Sequence, residues 1–191
     1  MTKQQLRQHF SAQRHQLTQQ ALMTQSDAIA QQFFSGFSLT AIHNVHVFLP
    51  ILSQNEINTW LIIKAIWRTY PHIFIVTSKT ELATGIMSSY HLTPDTQIAE
   101  NRWHVPEPVN ASPIADSAIE MILIPLLCFD KQGYRVGYGK GCYDKFLSHC
   151  SPQIIKVGLS LFAPVATIDD IQPHDIKLDY AIMPHAIWRI D

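Results

Sequence analysis

"IEMILIPLLCF", residues 119–129, is the stretch whose reading decides the fold. Polar residues bound it, and apolar character runs unbroken from Met121 to Phe129. A strand with one wet face would alternate; a strand covered on both faces of a parallel sheet shows a continuous run. A helix of this length would suit the hydrophobicity, but Pro125 inside it would cost about 3 kcal/mol. The stretch therefore reads as a central strand.

Working outward, "NVHVFLP" (44–50), "HIFIVTS" (72–78), "QIIKVGLSL" (153–161) and "DYAIMP" (179–184) are strand-like runs. Between them lie helical patterns. Residues 3–17 place Leu6, Phe10 and Leu17 on one face. Thr18 caps a second helix that runs to Phe34, before Gly36. "NEINTWLIIKAIWRTYP" (55–71) is a third, ended by Pro71. Residues 85–92 and 96–105 read as short strands or a hairpin, and "VPEPVNASP" (105–113) as a loop. Strands alternating with helices predict an α/β domain with a mainly parallel sheet flanked by helices, a Rossmann-like three-layer architecture. At 191 residues one domain, 1–191, is expected.

Composition excludes several classes. A net charge of −1 gives no global pull toward nucleic acid or membrane. The ten histidines form no HxH or HExxH group, which argues against a histidine zinc site. Cys128, Cys142 and Cys150 form no CxxC pair, so reduced thiols and a cytoplasmic location are expected. The polar start "MTKQQLRQHFSAQRHQL" lacks the apolar segment of a signal peptide.

After the central run comes "GYRVGYGKGCYDKF" (133–146), which holds four of the seven glycines within nine positions. In an α/β sheet, ligands collect beyond the carboxyl ends of strands. Glycines let backbone N–H groups approach a ligand, and a helix starting near Gly141 adds free donors. Lys140 and Arg135 add charge. The combination suits phosphate, and Asp144 suits Mg²⁺, which takes one or two carboxylates beside phosphate oxygens. The loop matches neither a Walker A pattern nor GxGxxG. A glycine-rich turn needed only for packing satisfies the same spacing.

"PLLCFDKQGYRVGYGKGCYDKFL" (125–147) resembles the signature of the 5-formyltetrahydrofolate cyclo-ligases, also called 5,10-methenyltetrahydrofolate synthetases. The agreement holds at Pro125, Leu127, Phe129, Asp130, Gly133, Arg135, Gly137, Gly139, Gly141, Tyr143, Asp144, Phe146 and Leu147. Weaker likenesses extend along the chain in "KQQLR" (3–7), "FLPILSQNEINT" (48–59), "RWHVPEP" (102–108) and "PHDIKLDYAI" (173–182).

The resemblance implies ATP-dependent conversion of 5-formyltetrahydrofolate to 5,10-methenyltetrahydrofolate, with release of ADP and phosphate. It implies ATP and Mg²⁺ as cofactors, a small-molecule folate partner, neither nucleic acid nor membrane, and is compatible with a monomer. By the same likeness Lys3, Arg7, Arg135, Gly137, Tyr138, Gly139, Lys140, Gly141, Cys142 and Tyr143 would form the nucleotide site, with Lys140 and Arg135 catalytic. Leu49, Glu56 and Trp103, with residues 138–142, would hold the folate, and Asp144 with Asp179 the metal. Simpler roles are open to several of them. Glu56 could complement a helix dipole, Trp103 could be core, and Asp179 could be half of a salt bridge. Cys142 beside a lysine at a helix start could be a reactive thiol.

The chain departs from the pattern at Tyr138, where many members have arginine, at Cys142, where they have tyrosine, and at Leu126 and Met183. Two other readings stand beside the cyclo-ligase: a folate- or nucleotide-binding paralogue without turnover, and an ATP-independent enzyme resembling sugar-phosphate isomerases or CoA transferases.

Overall fold

The computed structural model describes residues 1–81 and 83–190. Helix α1 (Lys3–His15) starts at Thr2, whose hydroxyl accepts the Gln5 N–H at 3.3 Å while the Gln5 side chain takes the Thr2 N–H at 3.0 Å. That reciprocal cap satisfies two donors a helix start leaves free. Leu6, Phe10 and Arg14 form the buried face, and Leu17 falls beyond the helix end. Thr18 caps α2 (Gln19–Gly36) as expected.

Strand β1 (Asn44–Val47) leads through a 3-10 turn, Leu52–Gln54, to α3 (Trp60–Thr69). The third helix starts later than its pattern suggests, because Asn55 takes left-handed backbone at φ 49°. Glu56 thus precedes α3 by four residues and serves no helix dipole there. β2 (Phe74–Glu81) and β3 (Ile86–Leu92) form one antiparallel hairpin, β4 (Gln97–Glu100) and β5 (Pro106–Val109) another. The proline-rich segment expected as loop is in part a strand; a two-stranded ribbon has edges where a missing N–H is tolerated.

The central run divides at its proline. β6 (Met121–Pro125) is the buried strand, and β7 (Cys128–Phe129) pairs with β8 (Arg135–Val136) in a separate ribbon. Then follow α4 (Cys142–Leu147), β9 (Ile155–Leu159), β10 (Tyr180–Met183) and β11 (Ala186–Arg189). β11 was not foreseen; it folds back on β10 across the turn at Pro184 and His185.

The main sheet runs β11-β10-β9-β6-β1-β2-β3, parallel from β10 to β2 with an antiparallel strand at each edge. β6 is its middle strand. Met121 and Leu123 enter the core on one face with Phe33 of α2 and Ile62, Ile63 and Ile66 of α3. Ile122 and Ile124 enter the core on the other, with Phe146 and Leu147 of α4. Each such side chain contributes about 1.5–3 kcal/mol, which is why the run carries no polar residue. These layers match the expected α/β architecture. α1 stands apart, its Leu6 and Phe10 packed on Leu127, Cys128 and Val136 of the ribbon. Among the described residues no helix is long and apolar enough to cross a membrane.

Chain order reverses between β1 and β6: the chain moves to β2 on one side, then returns to β6 on the other. Such a switch point opens a crevice at the strands' carboxyl ends. The segments leaving β1 and β6 carry, respectively, Glu56 and the glycine loop.

Candidate active site

A cleft of about 690 Å³ lies at this crevice. Its lining includes Phe48, which follows β1, and Pro125, the last residue of β6. Asp130 shapes the loop above it. This buried carboxylate accepts Gln132 and Tyr134 N–H on Oδ1, both at 3.0 Å, and Ile168 N–H on Oδ2 at 3.1 Å. Its oxygens are spent on backbone, so it is scaffold.

Beyond β8 the loop 137–141 lines the cleft throughout. Gly139 and Gly141 have φ of 91° and 66°, a region other residues enter at a cost. Arg7 of α1 donates Nε–H to the Gly137 carbonyl at 2.9 Å, and a Cβ on Gly139 would stand 3.1 Å from its guanidinium. The glycine is needed for that close approach. Lys140 is exposed at the cleft wall and makes no ion pair among the described residues.

Two ion pairs sit beside this loop. Arg135 Nη2 meets Asp144 Oδ1 at 2.9 Å, and Arg135 Nη1 donates to the Ile176 carbonyl at 2.5 Å. Asp144 Oδ1 also accepts the Ile176 N–H at 3.0 Å. Burial lowers the Arg135 pKa from its ordinary value, and the Asp144 carboxylate opposes that fall. Arg135 is therefore committed to holding Asp144, while Asp144 Oδ2 accepts nothing among the described residues. Lys3 pairs with Asp175. Burial alone would raise the Asp175 pKa; the Gln172 N–H and Lys3 outweigh it and hold the carboxyl below its ordinary range.

Asp179 does not reach the cleft. It stands at the amino end of β10 and takes the Lys156 N–H at 2.7 Å and the Lys156 ammonium at 2.9 Å. The expected pairing of Asp144 with Asp179 is not found: the aspartate that lines the cleft together with Asp144 is Asp175, four residues earlier in the same segment. Among the described residues no three metal-ligating side chains form a cluster. A divalent cation here would take most of its ligands from phosphate and water, as Mg²⁺ does.

Leu49, Glu56 and Trp103 also line the cleft. Trp103 is 58% exposed on the β4–β5 connection, beneath Arg102 at 5.3 Å, so it is a cleft residue and no part of the core. Glu56 is buried. Its Oε2 accepts the Ile51 N–H at 2.7 Å and its Oε1 the Tyr138 hydroxyl at 2.6 Å. Tyr138 thus ties the glycine loop to the Glu56 segment. Tyr143 and Cys142, at the start of α4, also line the cleft. Burial pushes the Cys142 thiol up, opposite to the depressed pKa that a reactive thiolate needs.

Sequence reasoning missed Asp175 and His46, which line the cleft; His104 and His174, exposed loop residues as their positions suggest, border it too. The first lay within a segment already noticed. His46 had no signal of its own: it alternates with Val45 and Val47 on β1, and its ring faces Phe146 only after the sheet has formed.

The description "5-formyltetrahydrofolate cyclo-ligase family" belongs to the family model that matches residues 1–184. The chain belongs to this family. Membership makes it a ligase. A mouse protein named 5-formyltetrahydrofolate cyclo-ligase is 28% identical over 174 residues, covering 85% of this chain and 81% of that one. A fission yeast protein named as a probable 5-formyltetrahydrofolate cyclo-ligase is 24% identical, covering 99% and 98%. Among solved structures, 5,10-methenyltetrahydrofolate synthetase of Aquifex aeolicus superposes with a TM-score of 0.79 at 22% identity, covering 100% of this chain and 93% of its own. That of Mycoplasma pneumoniae gives 0.75 at 21%, covering 96% and 99%. The two structures share the α/β fold described above.

Proposed function

We propose that the chain converts 5-formyltetrahydrofolate to 5,10-methenyltetrahydrofolate with ATP and Mg²⁺, releasing ADP and phosphate. One observation carries this reading. A single cleft is lined both by the glycine loop with Lys3, Arg7 and Lys140 and by Leu49, Glu56 and Trp103. The first group suits polyphosphate, the second a flat, donor-rich heterocycle.

The chemical obstacle is a poor leaving group. The N5-formyl oxygen must be expelled when N10 adds to the formyl carbon. Transfer of the γ-phosphoryl group to that oxygen turns it into phosphate, which then departs as the ring closes and N10 loses its proton. Such a transfer needs positioning and charge neutralisation. The open backbone at Gly139 and Gly141 lets N–H groups approach the phosphates. Lys140 and Arg7 supply positive charge, and Arg135 holds Asp144 in place. Asp144 Oδ2 and Asp175 would hold Mg²⁺, which would neutralise phosphate charge. Glu56 accepts hydrogen bonds from the pterin edge, and Trp103 offers an aromatic face beside it.

The test is to mix the protein with 5-formyltetrahydrofolate, ATP and Mg²⁺ and follow the methenyl product in the near ultraviolet. A rise that needs ATP is expected. Lys140→Ala, an exposed position, is expected to remove most of it while leaving the melting temperature unchanged. An ATP-independent rise, or none, overturns the proposal.

A further inference from the structure

Arg14 lies on α1, outside every sequence element that pointed to a site, and is only 3% exposed. Burying an arginine is costly unless its donors are satisfied. Its Nη2 donates to the Tyr138 hydroxyl at 2.7 Å, and the same hydroxyl donates to Glu56 Oε1 at 2.6 Å. Its Nε–H finds no acceptor among the described residues.

The direction of this chain is fixed by chemistry. A guanidinium can only donate. Tyr138 has one hydroxyl hydrogen, and with Arg14 donating to its oxygen that hydrogen goes to Glu56. Oε2 already receives the Ile51 N–H. In this arrangement every protein partner of Glu56 is a donor and the ionised carboxylate is fully matched, while a protonated one would gain an acceptor only by turning the Tyr138 hydroxyl hydrogen away. The backbone supports the same connection. Asn55, next to Glu56, donates Nδ2–H to the carbonyls of Arg14 and Leu17 at 3.1 and 3.3 Å, fastening the Glu56 segment to the end of α1.

We propose that Arg14 is a positioning residue that acts through Tyr138 to keep Glu56 an ionised, acceptor-only group facing the cleft, so that the site selects ligands presenting adjacent N–H donors there. The selection of a folate rests on the function proposed above; the relay itself does not. Tyr138 is then a working part: it conveys the influence of a guanidinium placed on another helix. Burial outweighs the rest and holds the Glu56 carboxyl above its ordinary value, while the Ile51 N–H, the Tyr138 hydroxyl and the Arg14 charge pull it back down and limit that rise. Arg14 from α1, Tyr138 from the glycine loop and Tyr143 from α4 are the charged and titratable groups that face it.

The experiment compares Tyr138→Phe, Arg14→Met and Arg14→Lys with the unaltered chain. Tyr138→Phe removes only a hydroxyl from a half-exposed ring, so it tests the relay even if Arg14→Met folds poorly. The Glu56 titration is read without ligand by carbon-13 NMR of the glutamate carboxyls, its resonance assigned as the one missing in Glu56→Gln. The midpoint is expected to rise by about one pH unit in Tyr138→Phe and Arg14→Met, and by less in Arg14→Lys, as loss of a charge-assisted hydrogen bond implies. In Arg14→Met the dissociation constant for 5-formyltetrahydrofolate at neutral pH is expected to weaken about tenfold, with that for ATP unchanged. Coincident midpoints overturn the relay, as does equal weakening for both ligands. If the unaltered chain binds no folate, the functional reading fails, and the midpoints still decide the relay.

Discussion

Replacing Asp144 by asparagine separates the stability of this cleft from its chemistry. The Arg135 side chain is 7% exposed and its Asp144 partner 20%. Removing one partner of a buried pair costs about 3–5 kcal/mol, because the other charge is left uncompensated. Asp144 keeps a fifth of its surface in water and asparagine can still accept a hydrogen bond, so about 2–3 kcal/mol is expected. For a chain of this size, that lowers the melting temperature by about 5–10 °C. Urea unfolding by circular dichroism measures it. Adding Arg135→Met should restore most of the lost stability, since the stranded charge is gone, while ATP-dependent turnover stays absent. The reasoning fails if Asp144→Asn unfolds within about 0.5 kcal/mol of the unaltered protein, the range of ordinary surface changes. It also fails if the double variant is no more stable than the single one.

His46 and Gly139 give two further tests. Burial lowers the His46 pKa to about 3, so the folded ring is neutral where an unfolded one, with a pKa of about 6.5, takes up a proton. The unfolded state binds more protons between those values, so stability falls as pH drops below about 6.5. At pH 4.5 this group alone removes about 2–3 kcal/mol relative to neutral pH, a loss that His46→Gln should abolish in urea unfolding at the two pH values. Gly139→Ala forces a side chain onto φ 91° and to 3.1 Å from the Arg7 guanidinium. About 1–2 kcal/mol of strain is expected, with nucleotide affinity about tenfold weaker by calorimetry and folate affinity little changed.

The sequence by itself determined the sheet and the loop. β6 is legible because a strand covered on both faces must be apolar at every position, and Met121 through Ile124 are. The glycine loop is legible because positive φ and the approach of Arg7 leave little choice of residue at Gly139. Helix starts at Thr2 and Thr18 follow from local hydrogen bonding, though only Thr18 had been singled out. Each of these leaves a mark in the local sequence, as an apolar run, a glycine or a capping threonine, whatever distant group it meets.

Tertiary structure alone decided the partners. Nothing local says that the segment before β10 turns Asp175 toward the cleft and Asp179 toward Lys156; the path of the chain across the sheet does that. Arg14 looks like one more charge on a polar helix until α1 settles on the β7–β8 ribbon and buries it beside Tyr138. Sequence separations of 124 residues from Arg14 to Tyr138 and 82 from Tyr138 to Glu56 carry no periodic signal. Their coupling comes from burial, where unpaired donors and charges are costly and each polar group must find its complement wherever the fold has placed it.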